Sequence, residues 1–132
     1  MKPIGLWTVG IWCLVRGVSR LYGALRLFAF LPSHHGIWPR LLFTATAEGL
    51  IWMTLGVGLL RRSNTARLAT VAWCGWEIAW SSYGFAAIPL SRIVAGVTIL
   101  YGLGVLIDSV IIWYLLRSTS AALFMGGHER VA

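Results

Sequence analysis

Each of the four apolar stretches in this chain holds an ionisable residue, and no other feature restricts its fold so much. The first stretch carries Arg16 and, one turn on, Arg20; the second carries Glu48, the third Glu77 and the fourth Asp108. The chain has only four acidic residues, and three of them sit in these apolar surroundings. A charge at the centre of a bilayer costs roughly 2.5–3.5 kcal/mol on the mildest scale, so such residues pair or line a polar cavity. The pattern predicts an all-α integral membrane bundle of four transmembrane helices. Its polar seam would be made of Arg16, Arg20, Glu48, Glu77 and Asp108.

Composition supports lipid as the solvent. The 132 residues are 58% hydrophobic and 11% charged, against about 25% charged in soluble domains. A chain this short has too little interior to hide so much apolar surface. A single domain over residues 1–132 is expected, with no linker long enough to separate two. Net charge is +7, and ten of the eleven basic residues are arginines placed at the ends of apolar runs. That placement suits headgroups and topology control. It does not suit nucleic acid, which calls for a basic run interleaved with exposed aromatics.

The N-terminal segment MKPIGLWTVGIWCLVRG continues its apolar run past Arg16, and no small-residue cleavage site follows. It reads as a retained first helix, not a signal peptide. Helices are predicted over 3–30, 39–60, 68–88 and 91–116, with a tail over 117–132. Pro3 and Pro39 suit helix starts, and the RRSNTAR segment is expected to be a tight basic turn. Lys2, Arg61, Arg62, Arg67, Arg117 and Arg130 fall on one side of such a bundle. Arg26, Arg40 and Arg92 fall on the other, with Arg20 near the boundary. The excess predicts a multi-pass protein of the inner (plasma) membrane with both termini cytoplasmic.

At 1.5 Å per residue, Glu48 and Arg16 both lie roughly 12 Å below the outer surface, Glu77 near the midplane and Asp108 roughly 12 Å from the inner side. Arg16 and Glu48 are therefore expected to pair. The same count gives Glu77 and Asp108 no basic residue at their own level. A line of carboxylates suits a proton or cation path. The structural alternative is one packing ion pair plus neutral carboxyls hydrogen-bonded to Ser, Thr or Trp groups.

Trp73, Trp76, Trp80 and Tyr83 recur at helical spacing through the third helix. Interfacial tryptophans usually sit at helix ends. The stripe reads either as lipid contact and core packing or as a face for a partner helix or a ring-shaped ligand. Glycines are frequent, including Gly49, Gly56, Gly58, Gly96, Gly102 and Gly104. Ala45-xxx-Gly49 and Thr98-xxx-Gly102 are pairs that allow close helix approach. Trp12-Cys13 and Tyr22-Gly23 recur at one offset as Trp73-Cys74 and Tyr83-Gly84, which suggests a duplicated helical hairpin.

No histidine lies within an apolar stretch, which argues against haem-type ligation there. His34 and His35 lack an evident third metal ligand nearby. Cys13 and Cys74 form no CxxC and read as buried small hydrophobes. No nucleophile elbow, phosphate loop or zinc-protease motif occurs. No metal, cofactor or enzymatic activity is expected.

The segments LYGLGVLIDSVIIWYLLR, GIWCLVRGVSRLYGAL and GLIWMTLGVGLLRR, the last followed by a short loop and a Trp-rich helix, resemble small bacterial four-helix membrane proteins of unknown function. The likeness covers most of the chain and implies a four-helix membrane fold without an activity. Small multidrug-resistance exporters are similar in size but carry a membrane glutamate in the first helix, where this chain has Arg16. The reading that emerges is a non-enzymatic accessory, scaffold or assembly subunit. Its partners would be the lipid bilayer and a membrane protein, or further copies of itself. The alternative is an oligomeric proton-coupled transporter using Glu48, Glu77 and Asp108.

Overall fold

The computed structural model describes residues 4–30, 38–87 and 95–117, together with Ala122 and Phe124. The described residues are all-helical: α1 (Ile4–Phe30), α2 (Trp38–Leu60), α3 (Asn64–Ala86) and α4 (Ala95–Leu116). Pro3, His34, His35, Pro89, Ser91, Arg92 and His128 lie outside the described residues, as do Lys2, Arg130 and the Gly126-Gly127 pair. Three of the four helices are long and apolar enough to cross a membrane, over Ile4–Ala29, Pro39–Leu60 and Thr98–Leu116.

The exception is α3, expected to be the third crossing. It has the length, 23 residues or about 35 Å, but not the apolarity. Arg67, Glu77 and the polar pairs Asn64-Thr65 and Ser81-Ser82 dilute it. It also begins four residues earlier than predicted. Ser63 stands just before its first residue, where an N-cap favours Ser, Thr, Asn or Asp. The expected basic turn therefore shrinks, and Arg67 enters the first turn of α3.

The chain divides into two compact units, Met1–Ser63 and Asn64–Ala132. Each contains one pair of helices, and the division falls where the internal match places its halves.

In the first unit the inward residues of α1 are Leu6, Gly10, Cys13, Gly17 and Ala24; those of α2 are Gly49, Trp52, Leu55, Gly56 and Leu59. Steps of three, four and seven place them on one seam per helix. Gly10 faces Gly56, and Gly17 faces Gly49. The two backbones approach so closely that a Cβ on Gly17 would sit 2.8 Å from the Gly49 carbonyl oxygen and 2.7 Å from the Met53 side chain. Trp52, fully buried, fills the space between Gly49 and Gly56. The small residues admit the backbone, and the indole packs the gap they leave.

A well-formed cap ends α2. The Ser63 N–H donates to the Gly58 carbonyl at 3.0 Å and the Arg62 N–H to the Leu59 carbonyl at 2.9 Å. This is the Schellman pattern, which places its C′ residue in the left-handed region. That residue is Arg62, with φ 58°.

In the second unit the buried residues of α3 are Arg67, Thr70 and Cys74. On α4 they are Asp108, Ile111 and Leu115. Both sets have i, i+3, i+7 spacing. The helices are antiparallel, since the rings of Phe85 and Tyr101, near the end of α3 and the start of α4, lie 6.0 Å apart.

Hydroxyls inside the helices satisfy themselves. Thr46 donates to the Leu42 carbonyl, Thr54 to Leu50, Thr70 to Ala66, Ser82 to Ile78 and Ser109 to Val105, at 2.7–2.8 Å. Each bond reaches back one turn and hides a polar group without a partner helix.

Candidate functional site: an ion pair and an outward aromatic ladder

The charged seam begins at the first unit's register. With Gly17 opposite Gly49, Arg20 and Glu48 come nearly level, and an Arg20 guanidinium nitrogen lies 3.3 Å from a Glu48 carboxylate oxygen. Arg16, expected from depth to be the partner of Glu48, places its guanidinium 4.5 Å from the centre of the Trp52 ring. The two arginines are one turn apart on one face: Arg20 meets the carboxylate, and Arg16 lies over the buried indole. The ion pair is open: the side chains are 48% and 35% exposed, within two helices apolar enough for lipid.

Glu77 and Asp108 belong to the second unit. Glu77 is half-buried on α3, whereas Asp108 is almost fully buried on α4. Arg16, Arg20 and Glu48 are thus gathered in one unit and the other two carboxyls in the next.

The aromatic stripe on α3 divides. The rings of Trp76 and Trp80 stack at 5.9 Å and 18°, and Trp80 meets Tyr83 at 6.3 Å. These three side chains are 58%, 63% and 72% exposed, so they form an exposed ladder along α3. Trp73 differs: it is half-buried, and its indole N–H is fully covered with no acceptor among the described residues.

Between the end of α3 and the start of α4, the second unit holds a groove of about 320 Å³ lined by Ser81, Ser82, Phe85, Thr98, Tyr101 and Gly102. At the offset of the internal match, Gly10 and Gly17 of α1 correspond to Val71 and Ile78 of α3. A Cβ on Gly75, Gly84, Gly96, Gly102 or Gly104 would meet nothing within 4 Å.

Three features go beyond the sequence expectations. The Gly10–Gly17 seam has a seven-residue spacing rather than the four-residue spacing of the small-residue pairs. Trp52 as the first unit's central side chain had no separate signal. Arg67 as a buried residue was signalled by the Ser63-Asn64-Thr65 cap sequence. Among the described residues, no three His, Cys, Asp or Glu side chains cluster as a metal site requires.

No protein-family model, curated protein or solved structure matches this chain.

Proposed function

We propose that this chain is a non-enzymatic accessory or scaffold subunit of the inner (plasma) membrane, multi-pass with both termini cytoplasmic, that packs against a larger membrane complex through α3. One observation carries the reading. The helix least suited to lipid presents its most exposed, ordered aromatic surface outward. A helix carrying Arg67 and Glu77 gains little from lipid alone, and protein cover on its open side removes that mismatch. Stacked tryptophans in the body of a helix are the anchors that dominate packed interfaces.

The test separates this role from proton-coupled transport. Gentle extraction of the full chain is expected to bring with it one membrane protein in fixed stoichiometry. The triple change Trp76→Ala, Trp80→Ala, Tyr83→Ala should lose that partner. Glu77→Gln and Asp108→Asn should keep it, because each amide preserves the size of the carboxyl it replaces and still hydrogen-bonds. Proton-driven solute movement in vesicles holding only this protein, abolished by Glu77→Gln, would overturn the reading in favour of a transporter.

A further inference from the structure

We propose that the first turn of α3 binds the phosphate of an anionic phospholipid headgroup, with Arg67 as its principal ligand. The inference rests on the membrane setting and is independent of the proposed protein partner.

Arg67 is 7% exposed, and its Nε and Nη1 atoms are covered with no hydrogen-bond acceptor among the described residues. A guanidinium keeps its charge under all ordinary conditions. A buried cation without an acceptor is strongly unfavourable, and buried charges are found paired. The ring of Phe124, 5.6 Å from the guanidinium carbon, shields one face but accepts no N–H bond in the ring plane. The missing element is an anion with several acceptor oxygens, and arginine suits phosphate in both geometry and charge.

The location supplies the rest. Arg67 is the fourth residue of a 23-residue helix, and helical side chains lean toward the N-terminus. It therefore points toward the end where the opening amides, Asn64 and Thr65 first, lack intrahelical acceptors and the helix dipole is positive. In this antiparallel pair, the start of α3 lies at the end of α4. There the apolar span Thr98–Leu116 stops, and Arg117 sits over the exposed Trp113 ring at 5.3 Å. Tryptophan and arginine at the end of an apolar span mark the headgroup layer. A lipid phosphate is held at that level, whereas free phosphate has no reason to concentrate there.

The experiment uses the full chain in neutral detergent, with thermal unfolding and native mass spectrometry as readouts. The probes are phosphatidylglycerol, phosphatidylcholine and inorganic phosphate. The wild type is expected to bind phosphatidylglycerol at least tenfold more tightly than phosphatidylcholine and to show no response to inorganic phosphate at equal concentration. Arg67→Gln should lose that selectivity. Phe124→Ala should retain it, and so should Arg26→Gln, which removes the same charge from the other unit. Equal binding of the two lipids by the wild type, or unchanged selectivity in Arg67→Gln, overturns the proposal. So does an equal response to inorganic phosphate. A wild type indifferent to every probe overturns it as well. Loss of the protein partner in the co-purification test leaves all these outcomes unaffected.

Discussion

Glycine is not one residue type in this chain but two. Gly17 and Gly49 are places where a neighbouring backbone occupies the room a side chain would need, whereas Gly102 and Gly104 face open space. We expect Gly17→Ala to destabilise the protein by about 1–3 kcal/mol, the usual cost of overpacking, because the Met53 amide and Gly49 carbonyl cannot step aside. Gly104→Ala should be neutral or stabilising by up to about 1 kcal/mol, from helix propensity alone. Unfolding of both variants in mild detergent against a denaturant series checks the pair; equal losses would mean the two helix pairs are packed alike. Sequence composition does not distinguish the two kinds. What distinguishes them is which residue lies opposite, and that depends on a register set by the whole hairpin. Depth counting brings Arg16, Arg20 and Glu48 to one neighbourhood, and the structure places all three side by side in the first unit. Arg20 and Glu48 should couple by about 1 kcal/mol or less in a double-mutant cycle in detergent, since water reaches both side chains. Arg16→Ala should cost up to about 2 kcal/mol through lost cover on the Trp52 ring.

Helix ends and helix polarity form the next scale. The end of α2 at Leu60 is legible in the sequence, because Arg61-Arg62 marks the stop. The start of α3 is less legible, because the segment RRSNTAR combines turn-like charge with the capping residue Ser63. Arg62 holds a backbone conformation that glycine adopts more readily. Arg62→Gly should therefore leave stability unchanged or raise it by up to about 1 kcal/mol, read from the same unfolding series. A distinct loss would assign the Arg62 side chain a stabilising role of its own. The polarity of α3 has a larger consequence, since four crossings keep both termini on one side and three do not. We expect a reporter fused to the C-terminus to be cytoplasmic and one in the loop between α1 and α2 to be external. A C-terminus on the far side from the N-terminus would mean that α3 does not cross.

At the scale of the whole molecule, the chain is two helical pairs built on different packing rules. The first closes on itself through glycine and one buried tryptophan. The second carries branched residues at the corresponding positions of α3, and it keeps a groove, an exposed aromatic ladder and a buried arginine. An all-helical fold was evident from hydropathy and from charges spaced one per apolar run. The inequality of the two pairs was not, because the internal match draws on Trp-Cys and Tyr-Gly pairs that say nothing about the residues between them. The most direct measurement places a photo-crosslinking amino acid at Trp76 or Trp80 in intact cells and identifies the adducts by mass spectrometry, with Leu106, an exposed apolar position on α4, as the lipid-facing control. The account predicts one discrete protein adduct from positions 76 and 80 and only lipid adducts from position 106. Lipid adducts alone at all three positions would contradict it.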